Sequence, residues 1–599
     1  MNSLLYPILI PLLFGIVCVV LPKKMVVPKW VLALICTAGI FIFNFFLFFN
    51  KPMEYILNDK IILRLDNLSG FILLGSGLFG FLITLYSIKY MEGKGNYGIY
   101  YGAFLWTLGA SHGVLLANHL LVLLLFWGFL GITLYLLVLT GGGEAAIAAK
   151  KTLIIVGGSD ALMVLGIVVI YNLSSTFEMD KISLSFNSVL PYLAFFCLSL
   201  GAFAKAGAMP LHTWIPEVAE HAPVSVTAYL PAALDKLLGI YLLGRMCLHL
   251  FKMSWIPNLY LMATGAVTIL AAVMMALIQH DLRRLLAYHA VSQVGYMVLG
   301  IGTGNPIGIA GGIFHMLNHS IYKACLFLCG GSVQHRTGTT DLNKLGGLGK
   351  FMPVTFFSFL IAAFAISGIP PFNGFFSKWM VYQGLVEVGK SGGYLWIVWL
   401  IAAMFGSALT LASFMKLTYS IFLGIPDKRI ESRKIKEVNT LMIIPVVILA
   451  SICVLFGIFA YSIPVQYFLI PSVPQFLYSG IWSPGLATVM IIIGIIIGLI
   501  IYMMGRILSV REAESFIGGE KLPVETRITG TGFYDTIRNI KGIRKIYAWA
   551  NTKRFDVYDV SGAVIMGVTK FLRRAHSGIL TSYMIWFVIG LSILLLILL

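Results

Sequence analysis

Residues 203–243 read FAKAGAMPLHTWIPEVAEHAPVSVTAYLPAALDKLLGIYLL. An apolar run closes on Lys205 and meets Pro210 and Pro216, and a second apolar run then carries Asp235 and Lys236. Proline removes a backbone donor and interrupts a helix. A charged side chain inside an apolar span costs several kcal/mol at the bilayer centre, so such groups mark ion pathways. The stretch therefore reads as a membrane helix broken beside a lysine, followed by a span with charges of its own. Residues 367–380, SGIPPFNGFFSKWM, repeat the arrangement with Pro370, Pro371 and Lys378. Broken helices at corresponding positions of two halves are a mark of transporters built on repeats. Residues 99–250 and 251–425 are accordingly expected to be two five-helix units. Five is odd, so the second enters the bilayer from the opposite side.

Working outward, the whole chain agrees. Of 599 residues, 59% are hydrophobic and 11% charged, against about 25% charged in soluble proteins. A soluble, secreted or nucleic-acid-binding protein is excluded. The net charge of +18 fits loops that face anionic lipid. Seven cysteines lie in apolar runs without a CxxC pair, so neither an iron–sulfur cluster nor a zinc site is expected. Cys325 and Cys329 share a helix face and read as packing. The opening MNSLLYPILIPLLFG (1–15) lacks a basic n-region and a cleavage site, so it reads as a first membrane helix that is kept.

A span needs about 20 apolar residues, and about 16 such runs are present. They begin near residues 3, 29, 68, 100, 119, 150, 189, 223, 256, 283, 307, 352, 394, 440, 485 and 578. Loops after odd-numbered spans hold most of the Lys and Arg, above all DKRIESRKIKEVN (427–439). This places them in the cytoplasm and the N-terminus outside. The expected fold is an all-α polytopic membrane protein with N-terminal helices over 1–98, the two units, and further spans over 426–507. A polar region over 508–576 comes next and a final span over 577–599. The polar region carries Arg527, Arg538, Lys541, Arg544, Lys545, Lys553, Arg554, Arg573 and Arg574, with apolar residues at helical spacing from Phe533 onward. It reads as an amphipathic helix lying along the cytoplasmic face, bent at Gly542 and at SGAVIMG (561–567).

The charged and titratable residues inside spans are Asp160, Lys205, Asp235, Lys236, His289, His315, His319, Lys323, Lys378 and Lys416. Residues 315, 319 and 323 share one helix face. Histidine titrates near neutrality and burial can bring lysine there, so the row suits a proton relay. HxxxH also fits a metal, but no carboxylate is near on that helix, and no metal or cofactor is assigned.

These segments carry a resemblance. FAKAGAMPLHTWIPEVAEHAPVSVTAYLPAALDKLLGIYLL resembles the central signature of the antiporter-like subunits of respiratory complex I, Mrp antiporters and membrane-bound [NiFe] hydrogenases. DLRRLLAYHAVSQVGYMVLGIG (281–302), HMLNHSIYKACLFLCGGSVQHRTGTTDLNKLGGL (315–348) and residues 367–380 match later blocks in order. RLDNLSGFILL (64–74) and YSIKYM (86–91) resemble the opening block. The amphipathic region and RRAHSGILTSYMIWFVIGL (573–591) resemble the longest, distal type of subunit. AYH with His289 and GGSDALM (157–163) resemble the hydrogenase-linked branch. The resemblance implies ion translocation, H+ or Na+, driven by electron transfer in partner subunits, with no redox centre in this chain. Implied partners are a neighbouring antiporter-like or quinone-subunit-like membrane protein and, indirectly, peripheral iron–sulfur subunits. The implied setting is a prokaryotic cell membrane, with no nucleic acid. Implied proton-transfer residues are Lys205, Lys236, His289, His315, His319, Lys323 and Lys378.

One departure stands out. The family has a glutamate in its fifth span, where LLLFWGFLGITLYLL (123–137) has Gly128. Asp160 is the expected substitute partner of Lys205. The expected complex is a membrane-bound energy-converting [NiFe] hydrogenase; the rivals are the distal proton-pumping subunit of complex I, an Mrp-type antiporter driven by an ion gradient, and a scaffold that has lost its first half-channel.

Overall fold

The computed structural model describes residues 3–390, 392–425, 435–473, 484–504, 530–576 and 578–598. Most of the loop at 427–439 and residues 508–529, with Arg527, lie outside them. The chain divides into two compact units, Met1–Thr536 and Ile537–Leu599.

The larger unit opens with α1 (Tyr6–Val20) and α2 (Val26–Phe49). A hairpin that the all-helical reading passed over then joins β1 (Met53–Leu57) to antiparallel β2 (Lys60–Leu65). Its turn residues Asn58 and Asp59 both have positive φ, 49° and 61°, the conformation that tight hairpins require. The helices α3 (Asn67–Tyr90), α4 (Tyr97–Leu116), α5 (Leu120–Leu139) and α6 (Ala145–Ser174) follow.

The first break falls where the prolines place it. α7 (Val189–Ala206) stops at Gly207, and α8 (Trp214–His221) resumes after Pro210. The next span starts as α9 (Val224–Tyr229), passes a π-helical turn at Leu230–Leu234, and continues as α10 (Asp235–Arg245). Pro231 sits in that turn and supplies no backbone N–H, which explains why the regular ladder slips there. The second unit comprises α11 (Trp255–Leu277), α12 (Leu282–Gly302), α13 (Pro306–Thr337), α14 (Pro353–Ser367), α15 (Asn373–Lys390) and α16 (Leu395–Thr418). The break between α14 and α15 corresponds to that between α7 and α8. Gly207 (φ +81°) and Gly368 (φ +80°) end the two first segments in the left-handed conformation, which a residue with a Cβ adopts only at a cost. The remaining helices are α17 (Thr440–Ile458) and α18 (Pro484–Met504).

All sixteen expected runs form helices, and twelve of these, among the described residues, are long and apolar enough to cross a membrane. In lipid a helix must satisfy its own backbone, which is why every apolar run takes this form. Loop ends are fixed by side-chain caps. Asp66 and Ser69 form a reciprocal capping box at α3, while Asp281 and Asn305 cap α12 and α13. The span formed by α9 and α10 is wholly buried, as is α12 apart from Arg284. α13 carries buried residues along most of its length. These central helices hold most of the intramembrane charge, as lipid's intolerance of exposed charge demands.

The smaller unit contains α19 (Ile543–Asn551), α20 (Val557–Ala575) and α21 (Leu580–Leu598). Gly542 does bend the amphipathic region, with φ +96°. The bend expected at SGAVIMG is absent: residues 561–567 run inside the continuous α20. The second interruption falls at 552–556, where Lys553 has φ +57° and the Asp556 side chain caps the new helix. A cap restarts a helix more decisively than a weak former bends one.

Candidate functional site: a buried chain of charges

At the first break, Lys205 is the penultimate residue of α7 and buried, at 1% exposure. Its Nζ donates to the Trp127 carbonyl of α5 (3.4 Å) and lies 4.8 Å from the centre of the Trp127 ring. The Trp127 Nε1–H donates to Asp160 Oδ1 of α6 (2.9 Å). Trp127 thus stands between the lysine and the carboxylate on α6. At Gly131 an added Cβ would lie 3.9 Å from Asp160 Oδ2, whereas one at Gly128 would meet open space. The carboxylates that act through space on Lys205 are Asp235 and then Asp160.

Asp235 is a member of this site that the sequence reading named without a role. It opens α10, just after the π turn, and is fully buried beside Lys236. The field on Asp235 comes from Lys205 and Lys236. Asp235 Oδ2 and Lys236 Nζ have no hydrogen-bond partner among the described residues. Lys236 Nζ reaches back to the first break, 3.1 Å from where a Cβ on Gly207 would be.

From Lys236 the charges continue on α13. Lys236 acts on Lys323 and His319. Lys323 Nζ lies 5.6 Å from the centre of the Phe414 ring and 5.8 Å from that of Phe327. Neither Lys323 Nζ nor either His319 nitrogen has a hydrogen-bond partner among the described residues. The shared face of His315, His319 and Lys323 does form, but no hydrogen bond joins the three directly. His315 turns to its neighbours: Nδ1 to Ser377 Oγ (2.9 Å), and Nε2 to Gln293 Oε1 (3.1 Å) and the Tyr322 hydroxyl (3.3 Å). Nε2 hydrogen-bonds Ser413 Oγ from His289 on α12 (2.7 Å), and the ring packs on Phe414.

At the second break Lys378 on α15 donates to the Ile366 carbonyl at the end of α14 (2.9 Å). The ammonium thereby sits on the negative end of a helix dipole. Lys378 acts on His315 and His289. Lys416 of α16 also acts on His289, and its Nζ donates to the Leu277 and Gln279 carbonyls (2.7 and 2.9 Å). Sequence reasoning placed Lys416 in a span but gave it no part. Only the fold brings it to the end of α11.

In the larger unit, beside the start of α3 and the end of α10, a cavity of about 550 Å³ is lined by Arg64, Asp66, Asp180, Arg245 and His249 among others. Burial opposes ionisation of the Asp66 carboxyl. The Arg245 charge and hydrogen bonds from Arg245 and Ser69 outweigh it and hold the group down at about 2.

Residues 117–410 match the family described as NADH:quinone oxidoreductase/Mrp antiporter, TM. The Na(+)/H(+) antiporter subunit A1 of Staphylococcus haemolyticus is 32% identical over 429 residues, covering 66% of this chain and 52% of that protein. Its namesake in Staphylococcus saprophyticus is 34% identical over 405 residues, covering 63% and 50%. The chain spans about half the length of these relatives. Among solved structures, a chain of the membrane-bound sulfane sulfur reductase, an archaeal respiratory membrane complex, superposes with TM-score 0.82 at 23% identity. That likeness covers 99% of this chain and 100% of the other. A chain of the Mrp complex from Dietzia sp. DQ12-45-1b gives 0.71 at 21% identity (78% and 96%). A chain of respiratory complex I from Thermus thermophilus gives 0.68 at 20% identity (78% and 98%).

Proposed function

Because the chain belongs to the antiporter-like family of membrane subunits that spans NADH:quinone oxidoreductase and Mrp antiporters, we propose that it moves ions across a prokaryotic cell membrane as one subunit of a redox-driven complex. The observation that carries this reading is the succession of buried groups Lys205, Asp235, Lys236, His319, Lys323, His315, His289 and Lys378, with the half-buried Asp160 beside Lys205. Unit charges about 6 Å apart interact by a few kcal/mol at an effective dielectric near 20. A proton gained or lost at one group therefore biases the next.

In this reading Lys205 is the switch of the first unit and Asp160, with Asp235, supplies its counter-charge in place of the glutamate absent at Gly128. Lys236 links inward, His289, His315 and His319 relay, and Lys323 and Lys378 serve the second unit. The driving arm is a membrane-bound [NiFe] hydrogenase or a related metalloprotein, by the sequence resemblance of the His289 and Asp160 segments. The full-length likeness to a subunit of an archaeal respiratory complex supports a redox-driven assembly. The subunit A1 relatives favour a second reading, an Mrp-type antiporter driven by an ion gradient. The N-terminus is assigned to the outside and the amphipathic α20 to the cytoplasmic face.

Partner identification separates the two. The complex is isolated from gently solubilised native membranes by a tag on this chain and its subunits are identified by mass spectrometry. A metalloprotein with iron–sulfur subunits is the expected result. Small membrane proteins alone would replace the redox reading with the Mrp one.

A further inference from the structure

We propose that the cavity beside the start of α3 and the end of α10 binds a ligand that joins a phosphate to a primary amine, the headgroup of an ethanolamine phospholipid. The inference goes beyond the ion-moving reading and does not depend on it.

The walls of the cavity meet at the end of the bundle that carries the hairpin. They are the close of β2, the start of α3, the loops after α4 and α6, and the end of the span formed by α9 and α10. Its volume of about 550 Å³ falls within the range of small-molecule sites, about 300–1,000 Å³, and is far more than a lone ion fills. Arg245 lines it and is 8% exposed. Its Nε donates to the Tyr241 hydroxyl (3.0 Å) and its Nη1 to Asp66, while Nη2 has no partner among the described residues. Arg64 approaches Glu54 through Nε (3.3 Å) and Asp180 Oδ2 through Nη1 (3.5 Å), and it makes no hydrogen bond among the described residues. Arg245, Asp66 and Arg64 all act on His249, another lining residue, so these charges converge on one place.

The donors and acceptors left over define the ligand. Each arginine keeps guanidinium N–H groups without a partner, and the planar guanidinium matches phosphate oxygens two at a time. On the acceptor side Asp66 is fully engaged, by Arg245 and by the backbone and hydroxyl of Ser69. Asp180 is not. Its Oδ1 accepts from Asn118 Nδ2 (2.8 Å), whereas Oδ2 has only the long approach of Arg64. That oxygen can take an ammonium N–H. With His249 neutral, the lining charges of Arg64, Arg245, Asp66 and Asp180 cancel. A simple anion would meet two carboxylates here, and a simple cation two arginines. A zwitterion sets each of its ends against the opposite sign and leaves the cavity neutral. A quaternary ammonium has no N–H to give Asp180, which selects a primary amine.

The flank of the cavity argues for a lipid as the source. Pro471 and Ser472 form part of the wall, and Asn67 Nδ2 donates to the Pro471 carbonyl (3.0 Å). They follow α17 through a π-helical stretch, Tyr461–Leu469, where Tyr461, Ile463 and Tyr467 are exposed, as is Ile470 beyond it. Tyrosines at the end of an apolar span mark the level of the headgroups. A headgroup in the cavity thus has an apolar flank beside it for its acyl chains. In the orientation assigned above, the site belongs to the outer leaflet.

The test uses the intact complex, stripped of its own lipid in detergent and titrated with dihexanoyl lipids, with bound lipid counted by native mass spectrometry. The phosphatidylethanolamine is expected to bind at least about tenfold more tightly than its phosphatidylcholine and phosphatidylglycerol counterparts. Arg64→Gln is expected to weaken all three, and Asp180→Asn the ethanolamine lipid alone, each at least about tenfold. Unchanged binding of the glycerol lipid in Asp180→Asn shows that the cavity is still folded. Equal binding of the ethanolamine and glycerol lipids, with no effect of Asp180→Asn, would overturn the recognition of an amine. Full binding in Arg64→Gln would remove the ligand from this cavity. O-phosphoethanolamine, which has the headgroup without the chains, separates the two sources. Weaker binding than the lipid supports the lipid, and equal binding would overturn it in favour of a ligand from solution. Lipid binding is read without ion flux, so failure here is distinct from failure of the ion-moving reading.

Discussion

Trp127 occupies an unusual position among these residues, because it touches both partners of the first switch. Its indole N–H holds Asp160 and its carbonyl accepts from Lys205, so it links the lysine to the α6 carboxylate, while Asp235 of α10 is the stronger charge on Lys205. Asp160→Asn keeps the hydrogen bond and removes the charge. Driven ion movement should fall at least about tenfold in Asp160→Asn vesicles while the assembled complex is recovered in normal amount; unchanged pumping would remove Asp160 from the site. Open space at Gly128 gives the companion prediction. Gly128→Glu should fold normally and restore part of the activity in the Asp160→Asn background, measured in the same assay.

Asp66 offers a check in which pH has a definite sign. Its carboxyl is held below the usual carboxylate range, at about 2, chiefly by Arg245 against the cost of burial. A depressed carboxylate contributes stability above its unfolded value near 4, and this is lost as pH falls through the folded value. The melting temperature of Asp66→Asn should therefore lie below that of the unaltered protein by a constant margin above about pH 4, and the gap should close between about pH 4 and 2. A gap independent of pH would mean that the ion pair contributes nothing.

At the scale of elements, the two broken helices are the features on which the site is built. Each first segment ends in a left-handed glycine with a lysine ammonium close by, Lys236 at Gly207 and Lys378 at Gly368. A Cβ at Gly207 would come within 2.0 Å of Ile215 Cδ1 and 3.1 Å of Lys236 Nζ. Left-handed strain and overpacking together put the cost of Gly207→Ala at about 2–4 kcal/mol. Thermal unfolding in detergent should show that loss, and ion movement should fall further than stability alone explains because Lys236 is displaced. The prolines announced both breaks in the sequence. The π turn before Asp235 and the hairpin at 53–65 were not legible in the same way. The first depends on how Pro231 is accommodated between packed helices, and the second on an Asn58-Asp59 turn whose flanks are short and mixed.

At the scale of the whole molecule, orientation is the prediction that every directional statement depends on. Asp59 in the hairpin turn and Glu92 after α3 are exposed at opposite ends of one span. All seven native cysteines are buried, so a single introduced thiol reports cleanly. A membrane-impermeant maleimide should label Asp59→Cys in intact cells and label Glu92→Cys only after permeabilisation. The reverse pattern would invert the topology.

The sequence by itself determined the class and the spans of this protein. Apolar runs of spanning length have a single stable outcome in lipid, and each of the sixteen became a helix. It also named the charges deep within spans, because lipid tolerates such groups only inside the bundle, but it passed over Lys29, Lys151, Arg245 and Arg283, which are buried nearer the ends of helices of spanning length. What tertiary structure alone decided is who meets whom. His315, His319 and Lys323 were legible as one face of α13, yet His315 bonds to α12, to α15 and to Tyr322, and not to His319 or Lys323. Asp235 and Lys416 were visible as letters and became part of the site only when α10 met the first break and α16 met the end of α11. Helix periodicity fixes the face a residue occupies, whereas the pairing of faces follows from how helices pack, and no local pattern records it.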